Sequence, residues 1–206
     1  MKNYRTTILC AAIAVLCTLA PHGAIAADRP NIVLILADDL GYGDIKAFGG
    51  DKCNIDTPHF DRLCAEGMKF TDAHVTDSVC VPSRTSIMTG RYAFRFGKAE
   101  QGGPWGFTGL RFPPTQHTLG HMFQAGGYAT GYVGKWHLGT RMTTRDGKVQ
   151  GPENTDFTKP IQIGTSDYGF KDCFFLPGSL DMFPYAYIRG KEWQGSVTAQ
   201  KGWSAF

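Results

Sequence analysis

Residues 31–39 read NIVLILADD, a short apolar run rich in β-branched side chains that ends abruptly in two aspartates. A run that is apolar on both faces favours a buried strand of a parallel sheet over a half-exposed strand. Residues 40–44, LGYGD, carry two glycines and are typical of a loop. The stretch therefore predicts a strand that delivers Asp38 and Asp39 to one end of a sheet.

The rest of the chain alternates between helical and extended patterns. Thr57 and Pro58 are a favourable N-cap and first helical residue, and Gly67 is a favourable stop. Further helices are predicted from Pro82 to Met88 and from Thr118 to Ala125, and further strands at 68–75 and 128–133. Residues 97–116 read as a loop, and residues 140–166 as a polar surface excursion. This alternation predicts an α/β fold with a mainly parallel central sheet flanked by helices.

The amino terminus has the pattern of a secretory signal peptide. Lys2 and Arg5 precede an apolar run of 13 residues, 8–20, which is followed by the small-residue pattern Ala24-Ile25-Ala26. A membrane anchor is the alternative, but a spanning helix needs about 20 apolar residues. Residues 1–26 are therefore predicted to be cleaved, which leaves no membrane anchor and implies an exported protein, periplasmic or secreted.

Net charge and cysteine spacing argue against a nucleic-acid-binding protein and against a zinc-ribbon or thioredoxin-type protein. Loss of Lys2 and Arg5 lowers the net charge from +3 to +1, which gives no electrostatic case for a nucleic-acid partner. Four cysteines remain after residue 26: Cys53, Cys64, Cys80 and Cys173. None forms a Cys-x-x-Cys pair, so a zinc ribbon or a thioredoxin-type site is not expected. At most one disulfide can form if Cys80 has a chemical role.

Asp38 and Asp39 are candidate metal ligands. Two adjacent carboxylates repel each other, and one takes up a proton unless a cation neutralises them. Hard oxygen ligands suit calcium or magnesium better than zinc. A solvated Asp-Asp turn is the alternative interpretation of the pair taken alone.

Residues 80–84, CVPSR, form a second candidate site. Pro82 near a helix start leaves Cys80 close to the helix N-terminus, where free backbone N–H groups favour an anion, and Arg84 adds a planar cation suited to oxyanions. Taken alone, Cys80 could be a thiolate nucleophile or a buried structural cysteine.

Lys135 and His137 form the third candidate site. On an extended segment, side chains two residues apart point to the same side. The pair would combine a compact cation with a titratable imidazole. A loop with scattered polar residues is the alternative.

Taken together, these motifs resemble the type I sulfatase family, the formylglycine-dependent enzymes of the alkaline-phosphatase-like superfamily. CVPSR, followed by IMTG at residues 87–90, resembles the first sulfatase signature, and GYATGYVGKWH at residues 127–137 resembles the second. Pro30-Asn31 leading into residues 38–44 resembles the opening metal strand of the family, and residues 57–63 resemble its first helix. Val81 departs from the small or hydroxyl residue usual at that position.

The resemblance implies a mechanism for hydrolysis of sulfate esters. Cys80 would be oxidised to formylglycine by a maturation enzyme, and its aldehyde would hydrate to a geminal diol. Asp38 and Asp39 would hold one Ca²⁺, which also binds a diol oxygen on residue 80, and Arg84 would fix the diol. Lys135 would bind a sulfate oxygen. His137 would help to remove the proton whose loss expels sulfate.

The resemblance also implies that residues 27–206 are only the amino-terminal part of the catalytic domain. The family's other metal ligands and its acid for the leaving group are expected outside them, so the chain alone is expected to be inactive and poorly stable. The substrate is expected to be a sulfated carbohydrate or an aryl sulfate. Two rival functions are a phosphonate or phosphate monoester hydrolase of the same superfamily and a non-catalytic binder of sulfated glycans.

Overall fold

The computed structural model describes residues 29–197. The predicted signal peptide, residues 1–26, lies outside this part of the chain. Within it, no helix is long and apolar enough to cross a membrane. The four cysteines that follow residue 26 all lie in it, and all are free thiols.

Four α-helices occur in the described part: α1 at Lys46–Gly49, α2 at Pro58–Glu66, α3 at Cys80–Thr89 and α4 at Leu119–Ala125. The predicted helices α2 and α4 are confirmed to within a residue or two, and α3 begins two residues before the predicted Pro82. Local chemistry explains this agreement, because the start and stop signals of a helix lie within one turn of its ends.

The caps of these helices act in different ways. The Thr118 hydroxyl accepts the backbone N–H of His121, 3.5 Å away, and so caps α4. Thr57 precedes α2 as predicted, but its hydroxyl accepts the N–H of Lys46 at 2.9 Å instead of capping. Gly90 ends α3 with φ of 65°, a left-handed conformation that glycine adopts without a steric penalty.

The sheet has four strands in sequence order: β1 at Gly131–Lys135, β2 at Asp172–Leu176, β3 at Ile188–Arg189 and β4 at Glu192–Trp193. β1 and β2 pair in parallel, whereas β2 with β3 and β3 with β4 pair antiparallel. The α/β class is confirmed. The strand predicted at 128–133 begins three residues later and ends two residues later, on Lys135.

Two predicted strands are absent from the described part of the chain. Residues 31–37 pair with no strand there, and Val33 and Ile35 are 82% and 75% exposed. Residues 68–75 are irregular, with a bend at residues 71–72. An apolar, β-branched pattern shows that a segment suits a sheet, but a strand also needs a partner backbone, and none of the described segments supplies one.

The core lies under one face of β1 and β2 and is dominated by aromatic rings. Rings and aliphatic chains from well-separated segments meet there: Phe107, Phe112, Trp136, Leu138, Ile161, Tyr168 and Phe175, all almost fully buried. This cluster fixes β1 and the residues after it, where two of the predicted site residues lie.

The prediction that residues 140–166 are a surface excursion was wrong. Gln150 is 7% exposed, and its amide donates to the carbonyls of Phe107 at 2.9 Å and Thr140 at 2.8 Å. Its Oε1 accepts the N–H of Met142 at 2.7 Å. Polar side chains here satisfy buried backbone groups, so the polarity of the segment does not indicate exposure.

Candidate active site

The predicted site residues other than His137 line a cavity of about 1130 Å³. Its walls come from residues 32–40, the first turns of α3, strand β1 and residues 179–182. Asp38 and Asp39 lie at the end of the first of these segments, Cys80 and Arg84 on α3, and Lys135 at the end of β1. Segments far apart in the chain therefore bring together the residues that the motifs singled out.

Cys80 is the first residue of α3, because Val79 before it is extended with φ of −134°. The first turn of a helix has backbone N–H groups without intrahelical partners, which makes its surroundings favourable for negative charge. The Cys80 Sγ lies 3.5 Å from the His137 Nδ1, which is within hydrogen-bond range for sulfur. The electrostatic field at the start of α3 therefore favours negative charge at Cys80, and the His137 imidazole beside it can accept a proton.

Asp38 is held by two cations. Its Oδ2 lies 2.7 Å from the Lys135 ammonium and 3.0 Å from Nη2 of the Arg84 guanidinium. The hydrogen bond from Lys135, followed by that from Asp39, lowers the pKa of the Asp38 carboxyl well below its usual range, with a smaller contribution from Arg84. Asp38 is therefore an ionised carboxylate at neutral pH.

Asp39 has the opposite behaviour. It is exposed, and its hydrogen bond to Asp38 and the negative charge of Asp38 raise its pKa. A divalent cation between the two carboxylates would remove this repulsion, so the pair fits a hard metal ion as two oxygen ligands. Among residues 29–197, no group of three or more His, Cys, Asp and Glu side chains could hold a metal ion, so Cys80 does not join the two aspartates in such a group.

Arg84 links three parts of the site. Its side chain is almost buried, and a buried guanidinium needs partners for its N–H groups. Nη1 donates to the backbone carbonyl of Lys135 at 2.5 Å, and Nη2 donates to Asp38. Arg84 therefore joins α3 to the ends of β1 and of residues 31–38.

His137 is 7% exposed, and burial, followed by the charges of Lys135 and Arg84, lowers its pKa to about 4. The imidazole is therefore neutral at neutral pH and can accept a proton from a group at residue 80. Lys135 contacts Asp38 while His137 contacts Cys80, so the two side chains serve neighbouring parts of one site. The extended segment predicted to carry both ends at Lys135, since His137 has φ of 56°.

Three polar residues near the site were missed by the sequence interpretation. Ser179 and Asp181 line the cavity, and the Ser179 hydroxyl donates to the Asp181 carboxylate. That hydrogen bond lowers the pKa of Asp181, which also interacts electrostatically with Lys135 and His137. The Tyr132 hydroxyl donates to the Lys135 carbonyl at 2.5 Å. No local sequence pattern marks Asp181 as a site residue.

From the sequence alone, the aromatic residues of segment 167–185 could line a sugar pocket or belong to the core. The rings of Tyr168, Phe170 and Phe183 are buried in the core cluster, which confirms the second interpretation for them.

Comparison with known proteins agrees with this fold. The sulfatase family model matches residues 30–193. N-acetylgalactosamine-6-O-sulfatase of Bacteroides thetaiotaomicron is 37% identical over 161 residues, which are 78% of this chain and 29% of the relative. Arylsulfatase G of Canis lupus familiaris is 38% identical over 162 residues, 79% of this chain and 26% of the relative.

A solved structure from a study of glycosaminoglycan metabolism by Bacteroides thetaiotaomicron superposes with a TM-score of 0.68 at 36% identity. The match covers 81% of this chain and 32% of that structure. The chain therefore belongs to the sulfatase family, with the alkaline-phosphatase-like α/β fold of that family. It spans less than a third of the length of these relatives.

Proposed function

We propose that the protein containing this chain is a sulfuric ester hydrolase that cleaves sulfate monoesters, with Cys80 as the precursor of its nucleophile. The observation that carries the proposal is the linked set Cys80, His137, Lys135, Arg84 and Asp38. A thiol at a helix start, a neutral imidazole and two cations converge there within hydrogen-bond distances.

Residue 80 acts in this proposal as formylglycine, made from Cys80 by a maturation enzyme. The hydrated aldehyde supplies an oxygen nucleophile that later releases sulfate without attack by water at sulfur. His137 Nδ1 lies beside residue 80 and, being neutral, takes the proton of its hydroxyl. Burial of His137 keeps it in this proton-accepting form across the neutral range.

The charged residues bind and orient the sulfate group. Lys135 offers N–H donors that stabilise negative charge on a transferring sulfate. Arg84 donates to Asp38 and to the Lys135 carbonyl, and so holds Asp38 and the end of β1 in fixed positions relative to each other. Asp38 and Asp39, with residue 80, would hold one Ca²⁺, which supplies positive charge beside the nucleophile and the sulfate.

We propose a sulfated carbohydrate or an aryl sulfate as the substrate. The relative named N-acetylgalactosamine-6-O-sulfatase and the structure from the glycosaminoglycan study support the first, and the relative named arylsulfatase G supports the second. The predicted signal peptide supports export to the periplasm or the medium, with no membrane anchor after cleavage. The net charge of +1 after removal of residues 1–26 gives no support to a nucleic-acid partner.

Apart from residue 80 in its modified form, the described residues supply two carboxylates for the metal and no third His, Cys, Asp or Glu side chain clustered with them. We therefore expect no turnover from the 206-residue chain by itself. Measurable sulfatase turnover by that chain alone would contradict this part of the proposal.

The test uses the full-length protein, expressed with and without a formylglycine-generating enzyme. Turnover is measured on an aryl sulfate, a sulfated disaccharide, a phosphate monoester and a phosphonate monoester, and mass spectrometry records the state of residue 80. We expect sulfate-ester turnover that appears only with the modified residue. Cys80→Ala should abolish it, whereas Cys64→Ala, a change at a half-buried cysteine on α2, should retain it.

Other outcomes would replace the proposal. Preference for the phosphonate or phosphate ester would assign the chain to the rival hydrolase activity. Binding of the sulfated disaccharide without turnover by a protein modified at residue 80 would assign it to the non-catalytic class. An unmodified thiol in a preparation with full activity would remove formylglycine from the mechanism.

A further inference from the structure

The backbone carbonyl of Lys135 accepts two hydrogen bonds from different parts of the chain. One comes from Nη1 of Arg84 and the other from the hydroxyl of Tyr132, each at 2.5 Å. A carbonyl oxygen has two lone pairs, so these donors occupy its full capacity. The end of β1 is therefore fixed by a side chain of its own strand and by a side chain of α3.

The Tyr132 ring is itself held in place. It packs edge-on against Trp136, with ring centroids 5.3 Å apart at 89°, and against Phe170 at 5.3 Å and 61°. Burial raises the pKa of Tyr132, so the hydroxyl keeps its proton and remains a donor. The direction of this hydrogen bond is therefore set by the core.

The position of the Lys135 carbonyl affects the backbone path of Trp136 and His137. Past Lys135, the N–H of Trp136 donates to Leu176 at 3.0 Å and that of His137 to Pro177 at 3.1 Å. His137 then turns with φ of 56°, a left-handed conformation that is uncommon for a residue with a side chain. Such a conformation persists only where the surroundings determine it, and the clamped carbonyl lies two residues before it.

We propose that Tyr132 is a positioning residue of this site. Its hydroxyl and the Arg84 guanidinium clamp the Lys135 carbonyl, which holds the end of β1 so that Lys135 faces Asp38 and His137 faces Cys80. Tyr132 acts through the Lys135 backbone carbonyl and through Arg84, with which its hydroxyl also interacts. This inference rests on the proposed sulfatase function for its effect on turnover, and on geometry alone for its effect on Cys80.

The matched test compares Tyr132→Phe with Tyr168→Phe in the full-length protein. Each change removes one hydroxyl that donates to a backbone carbonyl. The Tyr132 hydroxyl donates to the carbonyl of Lys135, and the Tyr168 hydroxyl donates to the carbonyl of Phe112 at 2.9 Å. Both rings also contact Trp136, with the Tyr168 centroid at 5.5 Å. Tyr168 does not bond to any residue of the site, so its variant reports the cost of losing a buried hydroxyl.

The first readout is steady-state kinetics on a sulfate ester below the unfolding temperature of both variants. Tyr132→Phe should lower kcat by roughly tenfold and leave KM within about twofold, because it misplaces groups that act in the reaction. Tyr168→Phe should keep the wild-type kcat. Equal losses of kcat in both variants, or a wild-type kcat in Tyr132→Phe, would overturn the proposal.

The second readout does not depend on turnover. In protein made without the maturation enzyme, iodoacetamide alkylation of Cys80 is followed by peptide mass spectrometry at one neutral pH. Displacement of His137 should change the rate of alkylation of Cys80 by at least roughly threefold in Tyr132→Phe and leave it unchanged in Tyr168→Phe. If the wild type hydrolyses no sulfate ester, the proposed function fails, while this comparison still decides the role of Tyr132. A wild-type alkylation rate in Tyr132→Phe would overturn that role.

Discussion

The Lys135 ammonium lies 2.7 Å from the Asp38 carboxylate, and this ion pair joins β1 to a segment with which it shares no backbone pairing in the described part of the chain. Arg84 adds a second contact to the same oxygen at 3.0 Å. The two side chains are only about one-fifth exposed, so the pair is less screened by solvent than a surface ion pair. An ion pair between side chains therefore connects these two segments, whereas backbone hydrogen bonds connect the neighbouring strands of the sheet.

Replacing Lys135 with Met should weaken the dependence of stability on acid. The pKa of folded Asp38 lies below its ordinary value of 3.8, so its contribution is present above that pH and is lost as the pH falls below it. Lys135 is the largest cause of the lowered pKa, so its removal should make the free energy of unfolding fall less steeply at acid pH. We call this acid part of the stability curve the acid limb. Urea unfolding at several pH values between about 6 and 2 measures it.

Lys171→Met is the control for this change, because Lys171 is exposed and has no ion pair among the described residues. It should keep the acid limb of the wild type. An unchanged limb in Lys135→Met would show that the contact with Asp38 does not determine the ionisation of that carboxyl.

Arg84→Lys should destabilise the protein by about 2 kcal/mol. A single ammonium does not reproduce the two directed bonds to the Lys135 carbonyl and Asp38, so one buried acceptor loses its partner. Arg91→Lys is the matched control, because Arg91 is exposed and its bond to Gln116 is long at 3.3 Å. Denaturant unfolding should place that control within about 0.5 kcal/mol of the wild type, and similar losses in both variants would contradict the prediction.

His137 should make the protein less stable as the pH falls from 6.5 towards 4. The pKa of the folded imidazole is about 4, below the ordinary 6.5, so the unfolded chain binds an additional proton in this window. Below about pH 4 both states are protonated and the effect levels off. His137→Gln should remove this slope while matching the wild-type slope above pH 7, and a slope that survives the substitution would assign it to other groups.

Gln150→Leu should destabilise the protein by about 3 kcal/mol, because it leaves buried backbone groups of Phe107, Thr140 and Met142 without partners. Gln162→Leu, at an exposed glutamine of the same segment, should change stability by less than about 0.5 kcal/mol. The two variants are compared by urea unfolding. Equal effects would restore the interpretation of residues 140–166 as a surface excursion.

The helices and the site motifs could be predicted from sequence because their signals are local. Thr118 lies at the start of α4 and Gly90 at the end of α3, within one turn of the boundaries that they set. Cys80, Arg84, Lys135 and His137 carry chemistry that is recognisable from residue type and short spacing. Their mutual contacts follow once α3 packs beside the end of β1.

Features that depend on distant partners were not predictable. The pattern of residues 31–37 suits a strand, yet pairing belongs to two segments and cannot be read from one. Gln150 looked solvated because sequence does not show that three buried backbone groups surround it. Asp181 has no periodic or motif context, and only folding brings it near Lys135 and His137.

The contact between Cys80 and His137 spans 57 residues, and that between Arg84 and Asp38 spans 46. Contacts of this sequence separation form late in folding, because the loop between them must close before either is gained. The ten residues of α3 are too few to hold a stable helix by themselves, so before these contacts form His137 does not cover Cys80. If residue 80 is modified as proposed, the rate of loop closure would therefore set how long the maturation enzyme has to reach the thiol.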